Sequence, residues 1–472
     1  MTSFFLLLIM LINITPYVRM NNKGEGVFIM PQNNKKGVRI FSLGLQHVLA
    51  MYAGAILVPL LVGRSLNLTS EQLAYLVAID LLTCGIATLL QAWKNKYLGI
   101  GLPVVLGSSF VAVTPMISIG TNYGVTAIYG AIIITGIFMF ICAPFFSKIT
   151  KLFPPVVIGT VVTIIGLSLI PSGIKNMGGG ATSEDFGSIE NLLLAFGVLL
   201  FILLLNRFTK GFMQSLAVLI GIIAGTIIAA ILGKVNLTPV KEASWFHFPE
   251  LFYFGIPSFE FGPILTMLIV GLVIVIESTG VFFALSKITE TPLSEKDLTR
   301  GYRAEGLAIT LGGLFNAFPY NTFAQNVGLV QLSKVKTVNV VIAAGGILVF
   351  LGFIPKVAAF ATIIPTPVLG GATVVMFGMV VASGIRMLSK VDFTNQANLL
   401  IMACSISIGL GATAVPNLFD QLPSALRIIV SDGIITGSLA AILLNLLFNV
   451  KTSKKSSNVS LLSKQVGETN TL

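Results

Sequence analysis

Long apolar runs recur from about residue 43 to residue 449, separated by short polar or Gly/Pro-rich stretches. In lipid, backbone N–H and C=O groups must be satisfied within their own segment. Each run is therefore predicted to be a helix unless it is buried in protein. At roughly 20 residues per crossing, the pattern predicts about fourteen spans, near 43–62, 72–92, 102–118, 124–143, 155–171, 190–208, 214–233, 263–286, 302–315, 322–333, 338–354, 367–388, 396–412 and 429–449. Two are unlike simple helices. The third is preceded by Gly99–Ile–Gly–Leu–Pro103 and continues Gly107–Ser–Ser–Phe110. The tenth reads Asn316–Ala–Phe–Pro319–Tyr–Asn–Thr–Phe–Ala–Gln–Asn–Val–Gly328. Both are short and interrupted by Gly, Pro and small polar residues, and each is third in its own half of seven. Gly and Pro are common in membrane helices generally. Broken spans at matching positions of two halves, however, point to a midplane binding site in an inverted-repeat transporter.

Composition agrees with the pattern. Hydrophobic residues make up 55 % of the 472 and charged residues 10 %, against about 25 % charged in a soluble domain. The net charge of +11 does not indicate nucleic acid, because the basic residues sit in pairs between apolar runs and not on one face. With the amino terminus inside and alternating spans, the outer loops hold Arg64, Lys175, Lys234, Lys241, Lys356 and Arg427. The other 23 of the 29 Lys and Arg lie inside. That bias is the positive-inside rule, and it predicts both termini cytoplasmic.

Outside the spans little chemistry is suggested. Residues 1–37 are expected to be a disordered or non-native extension. Phe4–Ile14 is apolar but too short to span, no basic region precedes it, and Met20 and Met30 are in-frame alternative starts. Residues 451–472 read as a disordered cytoplasmic tail. The stretch 234–262, with Trp245 and several Phe, reads as an interfacial outer loop. Gly178–Gly180 lacks a following Lys-Ser/Thr and is no phosphate cradle. Gly221 and Gly225 form a small-xxx-small helix contact. Cys84, Cys142 and Cys404 fall singly in apolar runs and read as small buried residues. Two histidines, His47 and His247, exclude a His-rich metal site. No metal, cofactor or catalytic residue is expected.

Three acids lie within or near apolar spans, where an ionisable group reads as functional by default. Glu277 is the clearest, deep in a run with Lys287 as the nearest basic residue. It is a candidate for proton exchange and for accepting two N–H bonds from a flat heterocycle. Asp80 reads as a helix-packing or proton-network residue. Glu305 follows Arg300 and Arg303 and reads as functional by its place near a span or as only part of an ion pair. In the tenth span, Gln325 and Asn326 each offer a donor and an acceptor, which suits the alternating N–H and C=O edges of a purine-dione. A satisfied packing network is the other reading of these amides.

Four segments resemble the nucleobase–ascorbate transporter family, most closely its bacterial xanthine permeases. They are Gln46–His47 through Val58–Pro59, Gly107–Ser–Ser–Phe110, Glu277–Ser–Thr–Gly280, and Gln325–Asn326–Val327–Gly328 followed by Ser333 and Lys334. The last is similar to the family signature, with Ser333 in place of the usual Thr. The resemblance covers about residues 38–450. It implies an all-α polytopic fold of two inverted seven-span repeats, with short strands in spans 3 and 10. A core would comprise about 43–143 and 263–354, and a gate about 155–233 and 367–449.

The resemblance also implies roles. Glu277 would bind the base bidentately, Gln325 its other edge, and the Phe110 backbone would donate, while Asn326 and His47 would shape and support the site. Glu305 matches an acidic coupling position, usually Asp. Uracil-type members often carry His where Val281 stands and Glu where Gln325 stands, so an oxidised purine is favoured over a pyrimidine. The expected function is proton-coupled, elevator-type uptake of xanthine across the cytoplasmic membrane by a homodimer, with xanthine or a related oxidised purine, H⁺ and lipid as partners. Urate or uracil transport and a passive channel are the alternatives. The sequence offers no nucleophile–base pair that would support an enzyme.

Overall fold

The fold is given by a computed structural model that describes residues 18–20, 26–28 and 32–449. Four strands, β1 (Val18–Met20), β2 (Gly26–Phe28), β3 (Leu106–Ser108) and β4 (Tyr320–Thr322), form two antiparallel pairs, β1 with β2 and β3 with β4. The other residues of the N-terminal extension before Gln32, and the tail after Asn449, lie outside the described residues.

The fourteen main helices follow the predicted spans. The first half holds α1 (Gln32–Ser65), α2 (Ser70–Ala92), α3 (Val113–Tyr123), α4 (Val125–Lys148), α5 (Pro155–Met177), α6 (Ile189–Phe208) and α7 (Ala217–Ile231). The second holds α8 (Phe261–Thr289), α9 (Glu295–Leu314), α10 (Ala324–Ser333), α11 (Asn339–Gly352), α12 (Thr366–Leu388), α13 (Gln396–Ala414) and α14 (Gly433–Asn449). Among the described residues, eight helices are long and apolar enough to cross a membrane, or nine if α11 is joined across an 82° bend to the short helix Pro355–Thr362. The rest explain themselves physically. At 11 and 10 residues, α3 and α10 are half-spans, each led by a strand. The 20-residue α9 carries Glu295, Asp297, Arg300 and Arg303 in its first half. Helix starts are locally encoded: Thr69 and Gln72 form a capping box at α2, and Ser294 and Asp297 form one at α9.

The two halves interleave as symmetry mates. If each span k is exchanged with span k+7, the pairing of α4 with α9 becomes that of α11 with α2, and both pairings are present. The same holds for α8–α4 with α1–α11 and for α12–α6 with α5–α13. Small residues bring the mates together. A Cβ at Gly85 would lie 2.6 Å from the Gly345 carbonyl, and one at Gly306 would lie 2.8 Å from the Gly136 carbonyl. Such close backbone approach drives association where lipid removes the hydrophobic force between helices. The result is two groups of helices, α1–α4 with α8–α11 and α5–α7 with α12 and α13, the second joined by α14, whose Gly433 and Gly437 lie against α13 and α5. Gly221 and Gly225 face Ile202 and Val198, so the helix contact expected of this pair is made by α7 with α6. Outward-facing Leu193, Phe196, Leu200 and Leu203 on α6 are exposed, as a lipid-facing surface requires.

Candidate functional site

The broken spans meet. β3 and β4 pair in register Leu106–Thr322, Gly107–Asn321 and Ser108–Tyr320. The ladder is extended by Ser109 N–H donating to Pro319 O at 2.8 Å and Phe323 N–H donating to Val105 O at 2.9 Å. Because the strands are antiparallel, α3 and α10 leave the ribbon in opposite directions with their N-termini at it. Unsatisfied N–H groups and the positive helix ends therefore converge on one place. Phe110 opens a short 3₁₀ turn before α3, so its N–H has no partner within its own helix. Gly107 is required by space: a Cβ there would lie 2.5 Å from the Phe323 ring.

Glu277, on α8, is half-buried beside the ribbon. Asn321 Nδ2 donates to its Oε2 at 2.5 Å, and the next residue, Ser278, accepts from the Thr322 N–H at 3.4 Å. Gln325 sits at the start of α10, half-buried, and its side chain makes no hydrogen bond to another described residue. Asn326 is buried and faces α1. Its Nδ2 lies 3.1 Å from His47 Nδ1 and donates to the His47 carbonyl at 3.2 Å. The carbonyl can only accept, which fixes the amide orientation. Nδ1 must then accept as well, and His47 carries its proton on Nε2. Asn326 Oδ1 and Ser109 Oγ are buried without partners, and such groups call for a ligand or water. From the other helix group, Phe377 on α12 meets Phe110 edge-on, with centroids 5.7 Å apart.

The other two acids differ sharply. Asp80 is fully buried and accepts from Ser108 on β3, from Tyr320 on β4 at 3.5 Å and from Cys84 at 3.8 Å. The Tyr320 hydroxyl also meets Thr83. Asp80 thus ties α2 to both strands. Glu305 is equally buried, yet neither oxygen has a hydrogen bond of ordinary geometry; the Ser278 hydroxyl is its polar neighbour. The ion-pair reading of Glu305 fails. Arg300 bonds Asp297 instead, and Glu305 pairs with no basic residue among the described residues.

Of the expected site residues, Glu277 lies against the ribbon, Phe110, Gln325 and Asn326 follow its strands within four residues, and His47 meets Asn326. Gly328 and Ser333 lie further along α10, where Ser333 Oγ caps its own helix end through Val330 and Val335. Asn321, Ser108 and Tyr320 were not foreseen. The signal for Asn321 was its place in the broken tenth segment, four residues before Gln325. A separate cavity of about 580 Å³, lined by Glu71, Tyr75, Glu242, His247 and Tyr253 among others, lies beneath the 234–262 loop and contains none of these residues.

Interleaved broken-helix halves around a polar two-stranded ribbon define a multi-pass membrane transporter. The transmembrane domain of a cyanobacterium bicarbonate transporter, BicA, has the same fold, at TM-score 0.57 and 16 % identity, covering 88 % of this chain and 98 % of that one. The chain belongs to the nucleobase–ascorbate permeases: the family model Xan_ur_permease, described as a permease family, matches residues 38–418. It is 65 % identical to the uric acid permease PucJ of Bacillus subtilis (strain 168) over 426 residues, 89 % of this chain and 95 % of that protein. It is 57 % identical to the xanthine permease of the same organism over 417 residues, 88 % and 95 % respectively. Relatives of this kind are permeases, not enzymes, and the chain is a multi-pass protein of the cell membrane.

Proposed function

We propose that this chain takes up an oxidised purine, urate or xanthine, by proton symport with elevator-type movement of the α1–α4/α8–α11 group against the α5–α7/α12–α14 group. One observation carries the reading: a single half-buried carboxylate, Glu277, stands beside a ribbon that also presents the unpaired amide of Gln325 and two helix N-termini. A carboxylate accepts N–H groups, an amide matches a mixed N–H/C=O edge, and the helix ends favour a base that carries partial negative charge. Glu305, buried beside the Ser278 hydroxyl and with no basic partner among the described residues, suits a group that takes up and releases a proton during the cycle.

The relatives named as uric acid permeases are the more similar, and they weigh urate at least equally with xanthine. Val281 and Gln325 weigh against uracil. In this reading both termini face the cytoplasm, the ribbon lies near midplane, and the working unit is a homodimer.

The test is uptake of radiolabelled urate and xanthine in cells lacking their own purine permeases, with unlabelled bases as competitors, with and without a protonophore. Saturable accumulation abolished by the protonophore is expected. Equilibration without accumulation would replace the symporter by a channel, and uptake competed only by uracil would overturn the purine reading.

A further inference from the structure

Among the described residues, Glu277 is gripped on one oxygen only, Oε2. Asn321 supplies that grip from the middle of β4, where it pairs with Gly107 and is 5 % exposed. Side chains alternate along a strand. Tyr320 and Thr322 share the opposite face, one engaging Asp80 and Thr83 and the other Ser278, which leaves Asn321 for Glu277. A glutamate has three side-chain torsions, and a lone one spreads over several rotamers. A charge-assisted bond from a residue fixed in a β-ladder selects one of them. A carboxylate has about four lone-pair sites, and the amide takes one on Oε2.

We propose that Asn321 is the positioning and specificity-determining residue for Glu277. It fixes the plane of the carboxylate so that Oε1 and the remaining Oε2 lone pair meet two adjacent N–H groups on one edge of an oxidised purine. The inference rests on the purine reading above and adds a residue to it. It has a chemical consequence. A donor on Oε2 keeps the acceptor surface toward the ligand, so a base that turns a C=O or a ring-nitrogen lone pair to that edge is rejected by lone-pair repulsion.

The test uses full-length chain in membranes and purified in detergent. Binding and initial uptake of labelled urate and xanthine are measured from pH 5.5 to 8 for wild type, Asn321→Ala, Asn321→Ser, Asn321→Asp, Glu277→Gln and the exchange double variant Asn321→Asp/Glu277→Gln. Removing one hydrogen bond to a charged group should raise KM and Kd roughly 10-fold or more, with Vmax changed by less than about 3-fold if the residue orients and does not merely support the fold. Asn321→Asp places two carboxyl groups together, which must share a proton, so its uptake should recover toward acid pH. The exchange variant restores a carboxyl–amide pair in reverse and should bind about 10-fold more tightly than Glu277→Gln alone.

Wild-type KM and pH profile in Asn321→Ala would overturn the proposal. Should Asn321→Ala and Asn321→Ser fail to reach the membrane, the exchange variant decides, and binding no better than Glu277→Gln alone overturns it. A wild-type chain that binds neither purine would instead remove the functional reading beneath it.

Discussion

The two arms of the ribbon follow the same course and carry different chemistry. β3 and α3 contribute Gly107, Ser108 and Phe110: a missing side chain, a hydroxyl turned inward to Asp80, and an aromatic ring with a free N–H. β4 and α10 contribute Asn321, Gln325 and Asn326, three amides, with Glu277 and Glu305 on the helices beside them. The inverted repeat duplicates a geometry in which two half-helices point their positive ends at one place. It leaves the side chains free to diverge, and in the proposed function one arm shapes the site while the other recognises the ligand. The first arm is expected to tolerate changes that keep its shape, and the second only changes that keep its hydrogen-bond pattern.

The largest expected effect falls on the recognising arm's partner. Glu277→Gln keeps the size but not the charge and should reduce accumulation roughly 100-fold, about 3 kcal/mol, with residual binding in a labelled-purine assay; full accumulation would remove Glu277 from the mechanism. The shaping arm is tested through its brace. Asp80→Ala strands the Ser108 hydroxyl, leaves Tyr320 with Thr83 alone and should cost about 2–4 kcal/mol of stability, read as a lower thermal midpoint in detergent. Asp80→Asn, which keeps polar partners, should lose less, and equal losses would show that charge, not bracing, is what Asp80 supplies. Gln325→Glu should change competition among urate, xanthine and uracil by about 10-fold; an unaltered competition profile would place Gln325 outside the site.

Smaller effects lie at the ends of the helices. Burial works against the Asp297 carboxylate, but bonds from Ser294, Lys94 and Arg300 outweigh it and hold its pKa well below the usual carboxylate range. A carboxyl depressed in the folded state stabilises above its unfolded pKa, about 3.9, and that contribution is lost as pH falls toward the folded value. The thermal advantage of wild type over Asp297→Asn should therefore be full at neutral pH and shrink below about pH 4. A constant difference would mean that the cluster does not titrate as described. Ser333→Thr, which restores the usual signature residue at the end of α10, should alter uptake by less than about 2-fold, within the range of a surface change.

Hydropathy made the helices legible because lipid forces each apolar run to satisfy its own backbone. The two short spans were legible as exceptions, since Gly, Pro and small polar residues interrupt both at matching positions. What hydropathy could not show was pairing across distance. Asp80 looked isolated because its partners stand 28 and 240 positions away. Glu305 looked like an ion-pair partner of Arg300 and Arg303 because they are neighbours in sequence, yet helical spacing turns its carboxyl into the core and Arg300 to Asp297. Asn321 was hidden in a loop-like Pro–Tyr–Asn stretch whose strand conformation depends on β3.

The distance between Asp80 and Tyr320 also bears on how the chain is made. A ribosome finishes α1–α7 before Tyr320 exists, so α2 enters the bilayer with a carboxyl group whose brace is incomplete and with β3 lacking its mate. Neither half therefore holds a complete brace or ribbon by itself. Translation halted after α7 leaves an unpaired strand and an under-braced acid in the membrane, and the finished protein is assembled by the late segments closing on the early ones.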